Sequence, residues 1–413
     1  MRIAYIHQYF IGPTGSGGTR SYEMARRLVA RGHEVHMIAS DPSPHKSART
    51  WRIEVLDGIS IHWYPVEYSN QMKFKRRIFA FVDFAWRSSW RARSIKADLV
   101  YASSTPLTIA IPGIFATLFR KSPMVFEVRD LWPEVPIALG ALRDPILRSL
   151  ARMLEKLAYH NSSQIVALSS GMKEGVIAVG YPAEKITVIP NASNLELFQG
   201  KEAQGRTWRA KYSWLGERPL IVHCGAMGKV NDVGYLAKVA AEVIKYDSEV
   251  RFVVIGAGVE EAKVRALAQS LGVLEKSFFM LPSVPKSEVP AILAACDIST
   301  ILVAPIKELE NNSANKLFDS FAAGKPIVIN YGGWQQDLLD DSNAGIRLDA
   351  LDHKQAAISL VSFLNDSERM IRAGQASLSL AESKFSLNSL TLQLAELLEA
   401  TVVQPRVRWS TMQ

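Results

Sequence analysis

Asn312-Ser313-Ala314-Asn315-Lys316-Leu317-Phe318-Asp319-Ser320-Phe321-Ala322-Ala323-Gly324-Lys325-Pro326-Ile327-Val328-Ile329 is the stretch around which the chain is organised. Ser313 is suited to cap a helix, and Leu317, Phe318 and Phe321 fall on one side of it. Gly324 stands where a helix stops, Pro326 forbids its continuation, and Ile327 to Ile329 read as a buried strand. A helix start offers free amides, and Lys316 in its first turn adds a positive charge, so phosphate is a natural ligand there. Asp319, one turn on, is placed to accept hydrogen bonds from sugar hydroxyls. The same pattern also fits an ordinary helix–strand unit of an α/β domain.

The run resembles the nucleotide-sugar motif of family-four retaining glycosyltransferases of the GT-B fold. In that family a glutamate, seven residues and a second glutamate precede Ala-x-Gly-x-Pro-Val-Ile. Aligned on Ala322 to Pro326, the second acid falls on Asp319 and the first on Asn311, with Glu308 and Glu310 nearby as substitutes for the lost charge. The Ser-Ala-Asn-Lys-Leu-Phe wording is similar to a bacterial surface-polysaccharide branch (O-antigen, colanic acid, capsule). The resemblance implies an α/β protein with two Rossmann-like, doubly wound domains facing across a cleft. It implies an acceptor-binding domain over 1–191, a linker over 192–217, a nucleotide-sugar domain over 218–385, and a last helix, about 386–413, returning to the first domain.

Leu220 to Cys224, the loop from Gly225 to Asp232 and a helix from Val233 repeat the strand, glycine turn and helix of a doubly wound domain. In the family a basic residue of this loop neutralises the donor diphosphate, and Lys229 matches it. The resemblance places Gly17, Gly18, Lys229, Asn231, Gly256, Val284, Ser313, Asn315, Lys316 and Asp319 on the donor, Val284 in the loop that receives the base.

The first half opens in the same way. A strand over 2–7, a glycine loop, a helix from Thr19 to Arg31 and the strand Glu34 to Ile38 begin an α/β domain. Gly17-Gly18-Thr19-Arg20 resembles the family loop that faces diphosphate and acceptor. Asp57-Gly58 marks a hairpin. Val128-Arg129-Asp130-Leu131-Trp132-Pro133 resembles the family's His-Asp loop, with Arg129 in the place of histidine. Asp130 and Glu127 are candidates for orienting the acceptor, beside Arg20 and Arg129. Val188-Ile189-Pro190-Asn191 resembles the segment that closes the first domain.

Between Lys73 and Arg93 seven basic residues face one acid, a window netting +6 within a chain of net charge +8. Its aromatic residues recur at helical spacing. This reads either as a helix docked on its own core or as one lying on an anionic membrane through Lys75, Arg76, Arg77, Phe81, Trp86 and Trp90. No nucleic-acid module is present. The N-terminus reads as a strand rather than a signal peptide, and no apolar run is long enough to span a membrane. The expected location is cytoplasmic, peripheral at the inner membrane face. Cys224 and Cys296 read as core thiols.

The sequence holds no Asp-x-Asp pair, so the resemblance implies transfer without a metal cofactor. Lys229, Lys316 and helix-start amides then stabilise the leaving diphosphate, with Asp130 and Asp319 as further catalytic candidates. The expected activity is hexosyl or N-acetylhexosaminyl transfer from a UDP-sugar to a lipid-linked oligosaccharide or polysaccharide precursor. Two other readings remain: a nucleotide-sugar epimerase on the same fold, and a non-catalytic membrane-surface partner.

Overall fold

The computed structural model describes residues 1–13, 15, 17–41, 50–66, 72 and 74–403, with only the backbone of Phe74 and Lys75. Among these residues eight strands form a first sheet: β1 Arg2–Ile6, β2 Glu34–Asp41, β3 Arg52–Leu56, β4 Ile59–Pro65, β5 Leu99–Ser103, β6 Met124–Val128, β7 Gln164–Ala167 and β8 Ile186–Val188. Their spatial order is β3-β4-β2-β1-β5-β6-β7-β8. All neighbours are parallel except β3 and β4. Asp57 (φ 47°) and Gly58 (φ 78°) make the two-residue turn of that hairpin, which requires positive φ at both positions. Strands β5 and β6 are buried along their whole length, as expected where helices cover both faces of a parallel sheet.

A second sheet is wholly parallel: β9 Leu220–Cys224, β10 Arg251–Ile255, β11 Phe278–Leu281, β12 Ile298–Ile301, β13 Ile327–Ile329 and β14 Gly345–Arg347. Its order is β11-β10-β9-β12-β13-β14. In both sheets the first strand in sequence is central, β1 between β2 and β5, β9 between β10 and β12. The chain reverses its direction of travel there, and the loops beyond the carboxyl ends of the strands separate to leave a crevice. The loops after β1, β5 and β6 therefore meet, as do those after β9, β10 and β12.

The chain divides into two compact units. The first holds residues 1–13, 18–190 and those from Asn388 onward, the second 15, 17 and 191–387. The closing helix, Leu387–Val403, is tied to the first unit by Arg27 Nε on Asn388 Oδ1 (2.8 Å) and by His33 with Glu399 (3.0 Å). Residues 404–413, expected in that helix, lie outside the described residues. The segment expected as a linker belongs to the body of the second unit. Its helix Glu202–Ala210 packs so closely on Val289–Ala295 that a Cβ on Gly205 would lie 2.8 Å from the Ala294 carbonyl carbon. Trp208 is buried and Trp214 stacks on Phe279, ring centroids 3.6 Å apart. These aromatic anchors override the polar composition of the segment.

Candidate functional site

In the second unit, the loops after β9 and β10 lie backbone against backbone. Gly225 N donates to Ile255 O (2.9 Å) and Met227 N to Ala257 O (2.9 Å). A Cβ on Gly256 would sit 1.9 Å from the Gly225 carbonyl oxygen, so this glycine is required by the contact between the loops. Under Gly225 passes Lys316, whose Nζ would be 3.5 Å from a Cβ at that glycine. Lys316 Nζ donates to His223 Nε2 (3.3 Å) and Asn231 Oδ1 (3.4 Å). His223, fully buried, is held neutral because burial and the Lys316 charge both lower its pKa. Its other nitrogen donates to Thr300 Oγ1 (3.3 Å), which donates to Val222 O (3.1 Å). Each hydrogen in this chain has an acceptor, which leaves the third ammonium N–H of Lys316 without one among the described residues. Burial lowers Lys316 to about 8.

An anion at that N–H would favour the charged form and raise the pKa again. One unit charge at 4 Å contributes about 4 kcal/mol at an effective dielectric of ~20, roughly three pKa units. Lys316 lies in the first turn of helix Asn315–Ala322, whose unpaired amides add to the attraction for an anion. The residue at the cap position is Ala314, not Ser313 as the sequence suggested. Ser313 Oγ is buried without a partner among the described residues, and its carbonyl accepts from Asn191 Nδ2 (2.6 Å).

Asp319 is buried, with Oδ1 accepting from Ser193 Oγ (2.8 Å) and Oδ2 from Lys286. Both oxygens thus already have protein partners, a fixed setting rather than a free carboxylate. Lys229 is exposed and lines a pocket with Asp232, Lys238, Glu260 and Lys263, which does not include Lys316. Glu310 is half-buried against Gly332 and Gly333, while Glu308 is exposed. Val284 and Asn315 are half-buried, and Gly17 is exposed with φ 136°. Among the described residues no group of three His, Cys, Asp or Glu side chains is arranged to hold a metal ion.

In the first unit, Arg20 and Glu127, expected to meet the acceptor, are sealed in the interior, with side chains 1% and 0% exposed. Arg20 Nε donates to Glu127 Oε1 (2.9 Å), and its Nη groups hold the carbonyls of Ile189 (2.9 Å) and Pro190 (2.5 Å). Tyr101 and Ser103 hydroxyls complete the carboxylate (2.7 and 2.5 Å). Burial alone would raise Glu127, but Arg20, Arg129 and these hydroxyls hold it at about 2. This pair fastens the first helix to the chain just after β8.

Arg129 and Asp130 are half-buried at the end of β6. Asp130 Oδ2 accepts from Thr105 Oγ1 (2.9 Å), and burial raises its pKa against the opposing pull of Thr105 and Arg129. Thr105 has φ 91°, unusual for a β-branched residue, as often found where a site fixes its backbone. Arg129 Nη1 donates to His7 Nε2 (3.0 Å) and Ser21 Oγ (3.3 Å). The sequence reading missed His7, since a single histidine at a strand end carries no spacing signal.

Helix Phe74–Ile95 docks one side on the core through Phe81, Phe84 and Ala85, and presents Phe79 (63% exposed), Val82, Trp86 (62%) and Trp90 (55%) to solvent. Phe81 therefore cannot reach a membrane, a correction that follows from the pitch of the helix: Phe79 and Phe81 point to opposite sides. Arg76 is exposed and Arg77 half-buried, and the side chain of Lys75 lies outside the described residues. The neighbouring segment adds Ile111 and Phe119, and helix Pro145–His160 exposes Ile146, Leu150, Met153 and Leu157 at helical spacing. Among the described residues no helix is long and apolar enough to cross a membrane.

Residues 15–192 match the family described as a glycosyl transferase 4-like domain, and residues 218–366 that described as glycosyl transferases group 1. The chain belongs to the GT-B, family-four glycosyltransferases and is a glycosyltransferase. It is 23% identical over 299 residues to an Escherichia coli (strain K12) protein, WcaI, whose name assigns it to colanic acid biosynthesis as a glycosyl transferase. The match covers 69% of this chain and 72% of that one. Among solved structures, sucrose-phosphate synthase from Thermosynechococcus elongatus shares the fold with a TM-score of 0.77 at 14% identity, covering 97% of this chain and 98% of that one. Anabaena HepE, solved in complex with UDP-glucose, gives 0.74 at 16% identity over 97% of this chain and all (100%) of the other.

Proposed function

We propose that the protein transfers a sugar, with retention of anomeric configuration and without a divalent metal, from a UDP-sugar to a lipid-linked oligosaccharide or polysaccharide precursor. The observation that carries this reading is Lys316, a half-buried lysine with one ammonium N–H lacking an acceptor among the described residues, at a helix start beneath the glycine loop of a group 1 domain. The UDP-glucose complex of HepE supports the choice of base, and the name of WcaI supports a surface polysaccharide. Retention follows from front-face attack: the acceptor oxygen bonds to the anomeric carbon on the face that the diphosphate leaves. The departing phosphate oxygen takes the acceptor proton, while Lys316 and the amides of its helix stabilise the charge that develops. Lys229, on its exposed loop, is a second cation for the diphosphate. Family membership favours transfer over an epimerase or a non-catalytic partner.

The exposed Phe79, Val82, Trp86 and Trp90, flanked by arginines, support a peripheral seat on an anionic membrane, where a lipid-linked acceptor resides. The test is incubation of UDP-sugars with lipid-linked acceptors in excess chelator, with the anomeric coupling of the product read by proton NMR. An unchanged anomeric configuration at full rate is expected. An inverted product or loss of turnover on chelation contradicts the proposal, as does normal transfer by the Lys229→Ala/Lys316→Ala double variant.

A further inference from the structure

The loops after β1, β5 and β6 hold a guanidinium that feels the charges of Glu127 and Asp130 but, among the described residues, is in ion-pair contact with no carboxylate. Arg129 is fixed at its backbone by Ser104 Oγ (2.9 Å), and the amide of Ser104 donates to the Glu127 carbonyl (2.8 Å). The two hydrogens on Nη1 go to His7 Nε2 and Ser21 Oγ. Glu127, two residues earlier, is occupied by Arg20, Tyr101 and Ser103, and Asp130 is turned to Thr105. The three N–H groups on Nε and Nη2 therefore have no acceptor among the described residues, and the half-buried side chain leaves them open to solvent. A guanidinium fork held in this way matches the paired oxygens of a phosphate or carboxylate.

His7 makes the fork directional. It is 4% exposed, and its Nδ1–H points to the Ser103 carbonyl (3.5 Å), which leaves Nε2 as the acceptor for Arg129. Burial and the adjacent Arg129 hold its pKa at about 3, so the ring remains an acceptor at any working pH. Glu127, Arg129 and the backbone of Ser103 and Tyr9 surround it.

We infer that Arg129 is the receptor for an anionic group carried by the acceptor, a phosphate or a carboxylate, and that His7 is the residue that positions it. The inference rests on the transfer reaction proposed above and on the acceptor-binding role that the family resemblance implies for the first unit. It divides the labour between two cations: Lys316 takes the anion of the donor and Arg129 that of the acceptor. Neutral sugars lacking such a group are poor acceptors.

The full chain, saturated with UDP so that the donor site is filled, is titrated with decyl phosphate, decyl glucuronide and decyl glucoside. The wild type is expected to bind one anionic probe about ten-fold more tightly than the neutral one. A preference for phosphate assigns the phosphate of a lipid carrier, one for glucuronide an acidic sugar. Arg129→Ala removes the preference, Arg129→Lys keeps part of it, His7→Phe loses it and His7→Gln, which can still accept from Arg129, restores it. UDP affinity stays unchanged in all four variants, which reports their folding. A wild type without anion preference, or Arg129→Ala retaining it, overturns the receptor role; His7→Phe retaining it overturns the positioning role. If the wild type does not take UDP, the donor reading has failed, and the probes are then read in Lys316→Ala, where that ammonium no longer competes for anions.

Discussion

Lys316 has surroundings that suit lysine rather than arginine: a compact ammonium fits beneath Gly225, gives two hydrogens to His223 and Asn231 and keeps one for the proposed diphosphate. Its lowered pKa, about 8, predicts that the free enzyme loses this charge above pH 8 while the nucleotide-bound enzyme keeps it. Calorimetry at pH 8.5–9 in buffers of different ionisation enthalpy should show proton uptake on UDP binding, absent in Lys316→Met; binding without uptake would refute the placement. Glu127 answers to pH in the opposite range. Its folded pKa, about 2, lies below the usual 4.5, so the folded state is stabilised above pH 4.5 and loses that contribution as pH falls toward 2. Glu127→Ala leaves Arg20 buried and unpaired, an expected loss of about 3–5 kcal/mol visible as a large fall in Tm. The motif in the sequence pointed to Lys316, whereas the buried pairing of Arg20 with Glu127 was not legible there. Charges 107 positions apart carry no sign of being partners until β6 and the first helix are brought together.

At the scale of elements, the glycine loops were legible as glycine-rich turns but not in purpose. Gly256 lacks a side chain because the Gly225 carbonyl occupies that space. Gly256→Ala should push the two loops apart, lowering UDP affinity and costing about 1–3 kcal/mol or more of stability, as overpacking does; native Tm and affinity in that variant would refute the contact. The basic–aromatic helix was located within a residue or two from its periodicity, but its apolar sector was too broad to tell the docked side from the exposed one. Phe79 and Trp86 are on the exposed side, so Phe79→Ser/Trp86→Ser should leave Tm nearly unchanged while weakening sedimentation with anionic vesicles. Equal sedimentation of variant and wild type would remove the membrane role.

For the whole molecule, two parallel sheets with central first strands were readable from strand, glycine turn and helix occurring twice. The stretch 192–217 was not, because Arg209 and Trp214 hold a polar segment to its own unit through Ala295 and Phe279, 86 and 65 positions downstream. The central claim, that a nucleotide diphosphate sugar is held by the second unit on Lys316 without a metal, is tested most directly by isothermal titration of wild type and Lys316→Ala with UDP, GDP and UDP-glucose, each with and without EDTA. The account predicts selective binding of the uridine ligands by the wild type, unchanged by EDTA and weakened at least about ten-fold in the variant. Binding that disappears with EDTA, or that survives intact in Lys316→Ala, would contradict it.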